Sequence, residues 1–292
     1  MKKNISSSTE IPVLKTIKLF INGEFPRTES GRSQAVQSLK SKKHLANLCV
    51  SSRKDFRNAV TAAKEALNGW ELKTAYNRGQ ILYRMAEMMQ AREKELSFVL
   101  VETQGIELRK AQLDVQKAID ALVYYAGFSD KFQQVLGAVN PVAGPHHNFT
   151  TADVMGVITL LVDQKFIFSE LVAQISAIIV SGNTLVTLLP LNAAGSVLAP
   201  LAEIFATADT PKGIINLLTG ELKELLPFIG SHMEVQGISC QINNQQILQD
   251  LKLMSVDNMK RIIAKVDEKK TQSLEHIMQY VEYKTIWHPI GL

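Results

Sequence analysis

Residues 156–220 constrain the fold most, because three short apolar runs alternate there with two helix-like stretches. Gly156-Val157-Ile158-Thr159-Leu160-Leu161-Val162 has the length and branching of a buried strand. Leu171 to Ile179 is an apolar, helix-like stretch that Ser181-Gly182-Asn183 stops. Thr184 to Leu189 reads as a second strand, 195–207 as a second helix and Gly213 to Leu218 as a third strand. Strands without polar–apolar alternation, separated by helices, belong to a parallel sheet covered on both faces. Such sheets take ligands, commonly nucleotides, at the carboxyl ends of their strands. In this chain those ends are poor in the groups a nucleotide needs.

The N-terminal half supplies helices to cover that sheet. Ser52 and Asp55 form a capping pair, and Phe56, Val60, Ala63, Leu67 and Trp70 follow at helical spacing. Ile81, Leu82, Met85 and Met89 mark a second helix, Leu96, Val99 and Leu100 a third, and Ala111, Val115, Ala118, Leu122 and Tyr125 a fourth. Ahead of them, residues 1–17 read as a loose arm. Lys18 to Phe25 read as a hairpin turning at Asn22-Gly23, and residues 30–50 as polar and irregular. Beyond the βαβ units, Val235 to Cys240 reads as a strand, 244–254 as a helix and 259–266 as a fifth strand.

Asn140 to His147 breaks the helical rhythm, and the flanking segments 133–139 and 147–155 read as strands of a protruding hairpin. His146 and His147 are adjacent, so a strand would send them to opposite faces, and no cysteine or carboxylate lies nearby in sequence. They read as exposed loop residues rather than metal ligands.

Composition removes several function classes. The chain of 292 residues is 46% hydrophobic and 21% charged, enough for a substantial core. A net charge of +4, spread along the chain, gives no nucleic-acid surface, and the basic run Lys260 to Lys270 reads as a solvated face. Cys49 and Cys240 fit a reducing compartment and no disulfide framework. No apolar stretch is long enough to span a bilayer, and Met1 to Ser8 does not read as a signal peptide, so the cytoplasm is the expected location.

The segments, taken in order, resemble the aldehyde dehydrogenase superfamily. Leu19 to Phe25 resembles its opening hairpin, and Asn58 to Trp70, Asn77-Arg78 and Leu82 to Met89 its first helices. Glu102-Thr103-Gln104-Gly105 resembles its Glu-Thr-Gly turn, and Tyr124 to Gly127 the end of its long helix. Gly156-Val157-Ile158, Ser181 to Thr184, Leu201-Ala202-Glu203 and Pro211 to Gly220 follow in the family's order. The resemblance implies an α/β fold, a Rossmann-like parallel sheet with flanking helices over 18–132 and 156–269. It also implies an oligomerisation arm from 133–155 and 276–292, where His276 to Trp287 resembles the family's C-terminal strand.

The departures fall on the chemistry. Where the family has Pro-Trp-Asn, whose asparagine helps hold the oxyanion, this chain has Asp163, Gln164 and Lys165. Leu188 and Leu191 stand where the resemblance places a lysine and a glutamate around the adenosine ribose, and neither can hydrogen-bond a hydroxyl. Cys240-Gln241-Ile242-Asn243 replaces the Phe-Thr-Gly-Ser turn before the pyrophosphate helix, so Ile242 and Asn243 fall where small residues belong. Lys265 occupies the general-base position, with Val266 to Lys269 in place of the glycines that follow it. A lysine ammonium serves as a base only if its pKa is strongly depressed. Residues 270–292 contain no cysteine, so the family's nucleophile and its catalytic domain are expected to be absent.

The resemblance with these departures implies a catalytically inactive family member. Such a chain would act as a structural or regulatory subunit, assembling with itself or with a full-length aldehyde dehydrogenase, with no nucleic-acid or membrane partner. No cofactor is expected unless the altered site still binds NAD(P). Two alternatives stay open: a nucleotide or small-ligand binding module, with Lys165 attracting an anionic group, and an NAD(P)-dependent oxidoreductase by descent.

Overall fold

A computed structural model of the chain describes residues 15–265 and 271–291. Its centre is a parallel sheet of five strands: β6 (Val157–Leu161), β7 (Thr184–Pro190), β8 (Ile215–Gly220), β9 (Gly237–Cys240) and β10 (Arg261–Ala264). Their order in space is β10-β9-β6-β7-β8. Every residue of β6 to β9 is buried, which is why these runs show no alternation. The crossovers are α6 (Phe168–Val180), α7 (Leu198–Thr207), α8 (Leu222–Ser231) and α9 (Gln245–Met254). From β6 the chain first builds outward to β7 and β8, then crosses back to lay β9 and β10 on the other side. The strand order therefore reverses between β6 and β9, and their carboxyl ends open a crevice there.

Five helices precede the sheet: α1 (Arg53–Glu71), α2 (Ala75–Ala91), α3 (Glu93–Gln104), α4 (Leu108–Phe128) and α5 (Phe132–Leu136). The capping box at Ser52 forms as its sequence predicts. Asp55 N donates to the serine hydroxyl, and Ser52 N donates to the Asp55 carboxylate at 2.8 Å. Trp70 is buried at the far end of α1 and donates its indole N–H to Ile179 O at 2.9 Å, pinning α1 to α6. No side chain of its own caps α6. Asp114 of α4 accepts the N–H groups of Phe168 and Ser169 instead, at 3.0 and 3.1 Å. Gly105 ends α3 in the left-handed region, φ +69°, the conformation that its Glu-Thr-Gln-Gly turn requires.

Residues 30–50 are more ordered than their polar sequence suggests. They hold β2 (Ser33–Gln37) and β3 (His44–Cys49), which form a three-stranded sheet with β1 (Thr16–Ile17) in the order β1-β3-β2. Thr16 and Ile17 are thus strand rather than loose arm, and residues 1–14 lie outside the described residues. The turn at Asn22-Gly23 has positive φ at both positions, as an Asn-Gly turn does, and Phe20 bridges to Leu217 of β8.

A third sheet combines β4 (Ala138–Asn140), β5 (His146–Val154) and β11 (Val281–Pro289) in the order β11-β5-β4. Its first strand is shorter than 133–139, because Phe132 to Leu136 form α5. β11 runs antiparallel to β5 from Val281 opposite Val154 to Pro289 opposite His146. Just before it, α10 (Leu274–Met278) and Tyr280 fasten the tail to the core. Tyr280 is fully buried, its hydroxyl 2.8 Å from Ser239 Oγ and donating to Gln174 Oε1. Asn183 Nδ2 donates to Tyr280 O at 2.6 Å, while Asn183 Oδ1 accepts the N–H groups of Met155 and Gly156, both at 2.8 Å. The adjoining Gly182 sits at φ +95°, and a Cβ there would stand 2.4 Å from Val154 Cγ1.

Candidate functional site

The loops that follow β6, β7, β8 and β9 line a cleft of about 530 Å³ at the carboxyl ends of the strands. It gathers the consecutive Asp163, Gln164 and Lys165 with Leu188, Leu191 and Ile242 from two later segments into one lining. Two sequence candidates are placed elsewhere. Asn243 is exposed and does not line the cleft, whereas its neighbour Asn244 does. Lys265 lines a separate, narrower recess together with Gln174, Gln241 and Glu170. Val266 to Lys269 lie outside the described residues. The sequence reading missed Glu221, Leu222 and Ile247, which arrive from the starts of α8 and α9.

The wall nearest α9 is closed to anions by local chemistry. Asn244 is the N-cap residue of that helix, and its Oδ1 accepts the N–H groups of Gln246 and Ile247 at 2.9 and 3.2 Å. Two of the first donors of the helix are therefore already engaged. Across the mouth, Asn192 Nδ2 donates to Gln164 O at 3.1 Å, tying the loop after β6 to the loop after β7. Gln34 Nε2 donates to Leu191 O at 3.1 Å and steadies the same wall. Beneath them Leu188 is 3% exposed and forms part of the core under the cleft.

A dinucleotide in this cleft would need hydrogen-bonding groups for its ribose hydroxyls, free N–H donors for its pyrophosphate and a favourable charge. The lining offers Leu188 and Leu191 at the first, a capped helix at the second, and Asp163 and Glu221 against a single Lys165 at the third.

The titratable side chains singled out by the sequence sit in varied surroundings. Cys240 is buried, and burial pushes its thiol up, away from the nucleophilic thiolate, with Asp163 adding to the effect. Lys265 Nζ lies 3.8 Å from Glu170 Oε2, an ion pair within the narrower recess. His146 sits edge-on to Trp287 at 5.9 Å, and His147 beside Phe149 at 5.3 Å. Among the described residues no three His, Cys, Asp or Glu side chains are grouped to hold a metal ion, and no helix is long and apolar enough to cross a membrane.

Sheet order, crossover helices and a cleft at the carboxyl ends of the strands define an α/β domain of the dinucleotide-binding type. The sequence model of the aldehyde dehydrogenase family matches residues 26–267, and the chain belongs to that family. Among curated relatives, cytosolic 10-formyltetrahydrofolate dehydrogenase of Xenopus laevis is 28% identical over 264 residues, covering 89% of this chain and 29% of the relative. The α-ketoglutaric semialdehyde dehydrogenase of Bacillus subtilis is 29% identical over 228 residues, covering 77% and 46%. A solved aldehyde dehydrogenase from Bacillus cereus, in complex with NAD+, shares the fold with a TM-score of 0.80 at 23% identity, covering 86% of this chain and 50% of that one. The chain thus spans half or less of the proteins it resembles.

Proposed function

We propose that this chain is a non-catalytic member of the aldehyde dehydrogenase family that acts as a structural or regulatory subunit, assembling with a second copy or with a full-length aldehyde dehydrogenase. The observation that carries this reading is the β11-β5-β4 sheet. Among the described residues both of its outer edges are unpaired, and its strands expose Val139, Tyr283 and Trp287, the last at 61%. Open strand edges bearing aromatic side chains are favourable surfaces for pairing with another chain. Support for the non-catalytic part comes from Lys165 and Lys265, cations at positions where the family resemblance places an amide donor and a base. The two buried, unpaired cysteines fit a reducing location such as the cytoplasm.

Native mass spectrometry of the purified chain, alone and mixed with a full-length aldehyde dehydrogenase of its host, tests the assembly. Defined homo- or hetero-oligomers are expected, and a monomer under both conditions refutes the assembly. Turnover of NAD(P)+ with an aldehyde by the purified chain would refute the non-catalytic part and restore the oxidoreductase reading. The cleft favours a second reading, a ligand-binding module, because it stays open without any partner.

A further inference from the structure

We infer that two copies of this chain pair through β11, strand against antiparallel strand, about a two-fold axis at Thr285. The inference rests on the assembly proposed above and gives it a partner and a register. Of the two open edges of the outer sheet, β4 offers three residues and β11 nine. β11 matches β5 residue for residue from Val281 to Pro289 with no register shift, and its single proline is its last residue. The bulge or interior proline that commonly blunts an edge strand is therefore missing from it. Val281, at the foot, is buried and its carbonyl accepts Arg261 Nη1 at 2.7 Å, whereas every later residue of the strand except Ile286 is exposed.

The side chains on that edge select the register. A two-fold axis perpendicular to a sheet keeps each side chain on its own face, so opposed residues differ by an even number of positions. An axis at Thr285 overlaps the whole strand. Tyr283 then faces Trp287 of the second copy, Lys284 faces Ile286 and Glu282 faces His288, and the symmetry makes each pair twice. Tyr283 and Trp287 are 49% and 61% exposed in the single chain, and a cross-strand aromatic pair is a stabilising one. Glu282 keeps Arg261 at 2.8 Å, and no like charges are opposed. The neighbouring registers are worse. An axis at Lys284 sets that lysine against its own copy, and one at Ile286 sets it against the basic His288. An axis at Tyr283 leaves only Val281 to Thr285 overlapped, and loses both aromatic pairs.

Disulfide trapping tests the axis. In Thr285→Cys each new thiol meets its own copy, at the roughly 4.5–5.5 Å Cα separation of opposed residues, which a disulfide spans. In His288→Cys the two thiols stand as far apart as residues 282 and 288 of one strand, about 20 Å. Cys49 and Cys240 are buried and do not compete. After mild oxidation of the full chain with glutathione disulfide, Thr285→Cys should give about tenfold or more the covalent dimer of His288→Cys on a non-reducing gel. If Thr285→Cys loses its circular-dichroism melt, a mixture of Glu282→Cys with His288→Cys, which face each other, replaces it and should cross-link only when both are present. Native mass spectrometry of the wild type separates this pairing from assembly in general. A homo-oligomer without the Thr285 cross-link leaves the assembly standing and overturns the pairing through β11. Equal cross-linking of both variants overturns it too, as does a chain that is monomeric alone, even one that binds a full-length aldehyde dehydrogenase.

Discussion

Two sheets of this molecule obey opposite rules. In the parallel sheet, β6 to β9 are buried along their whole length, and helices close both faces. In the β11-β5-β4 sheet most of β11 is exposed, and its far edge is unpaired among the described residues. The first sheet is held by the hydrophobic effect and is complete within one chain. The second joins the core at its root, through buried Ala152, Ile277, Tyr280 and Val281 and a few buried hydrogen bonds, and most of its outer strand is exposed. Stability is concentrated in one sheet and the proposed assembly in the other.

Substitutions can break that division or sharpen it. Tyr280→Ala should have the largest effect, a loss of about 3–5 kcal/mol for a fully buried aromatic, read as a lower chemical-denaturation midpoint with early hydrogen exchange along β11. Asn183→Ala removes the acceptor for two buried N–H groups and the donor to Tyr280 O, and should cost about 2–4 kcal/mol with the same local signature. If either variant melts like the wild type, the root contacts do not hold the second sheet.

Lys260, at the entrance to the edge strand β10, tests the parallel sheet from its weakest side. It is 8% exposed and its Nζ has no hydrogen-bond partner among the described residues, and burial lowers its pKa to about 8, with His232 nearby. Its folded pKa lies below its unfolded value. The charged form therefore destabilises the fold below pH 8, and stability is recovered as the pH rises from about 8 towards 10.5. Lys260→Met should flatten that rise relative to the wild type and stabilise the chain at pH 7. Allowing for solvent screening around the turn, the gain is about 1 kcal/mol. His232, Glu234 and Arg57 lie in the same electrostatic neighbourhood and are retained in the comparison. The smallest effect on stability is expected from Trp287→Glu, within about 0.5 kcal/mol. The same change should shift any oligomer towards monomer in native mass spectrometry, and an unaltered oligomer would remove β11 from the interface.

Regions of the molecule also differ in how well the sequence announces them. The strands read over 156–162, 184–189 and 213–218 form as Val157 to Leu161, Thr184 to Pro190 and Ile215 to Gly220, with ends shifted by one or two residues, because continuous branched apolar runs have few alternatives between helix stops. β2 was hidden because only Val36 of Ser33–Gln37 is buried, so its alternation is too weak to see. Phe132 to Leu136 carry an apolar spacing that suits a helical turn as well as a strand, and packing decided for the turn. In the cleft, the residues at strand ends were legible because parallel sheets place ligands there. Neighbouring side chains were not: whether Asn243 or Asn244 lines the cleft depends on which of them caps α9, a matter of backbone angle rather than residue type. Ile247 and Leu222 enter only because their helices begin beside the crevice.

The pairing of β5 with β11 also fixes an order of events in the life of the chain. His146 to Val154 leave the ribosome long before Val281 to Pro289 exist, and the register joins them along their entire length. During synthesis β5 must wait with one side bare while the parallel sheet folds around β6 to β9, and non-local strand pairing is slow and prone to misassociation. A neighbouring nascent chain could occupy that side first, so an assembly of the kind proposed can begin before β11 is made.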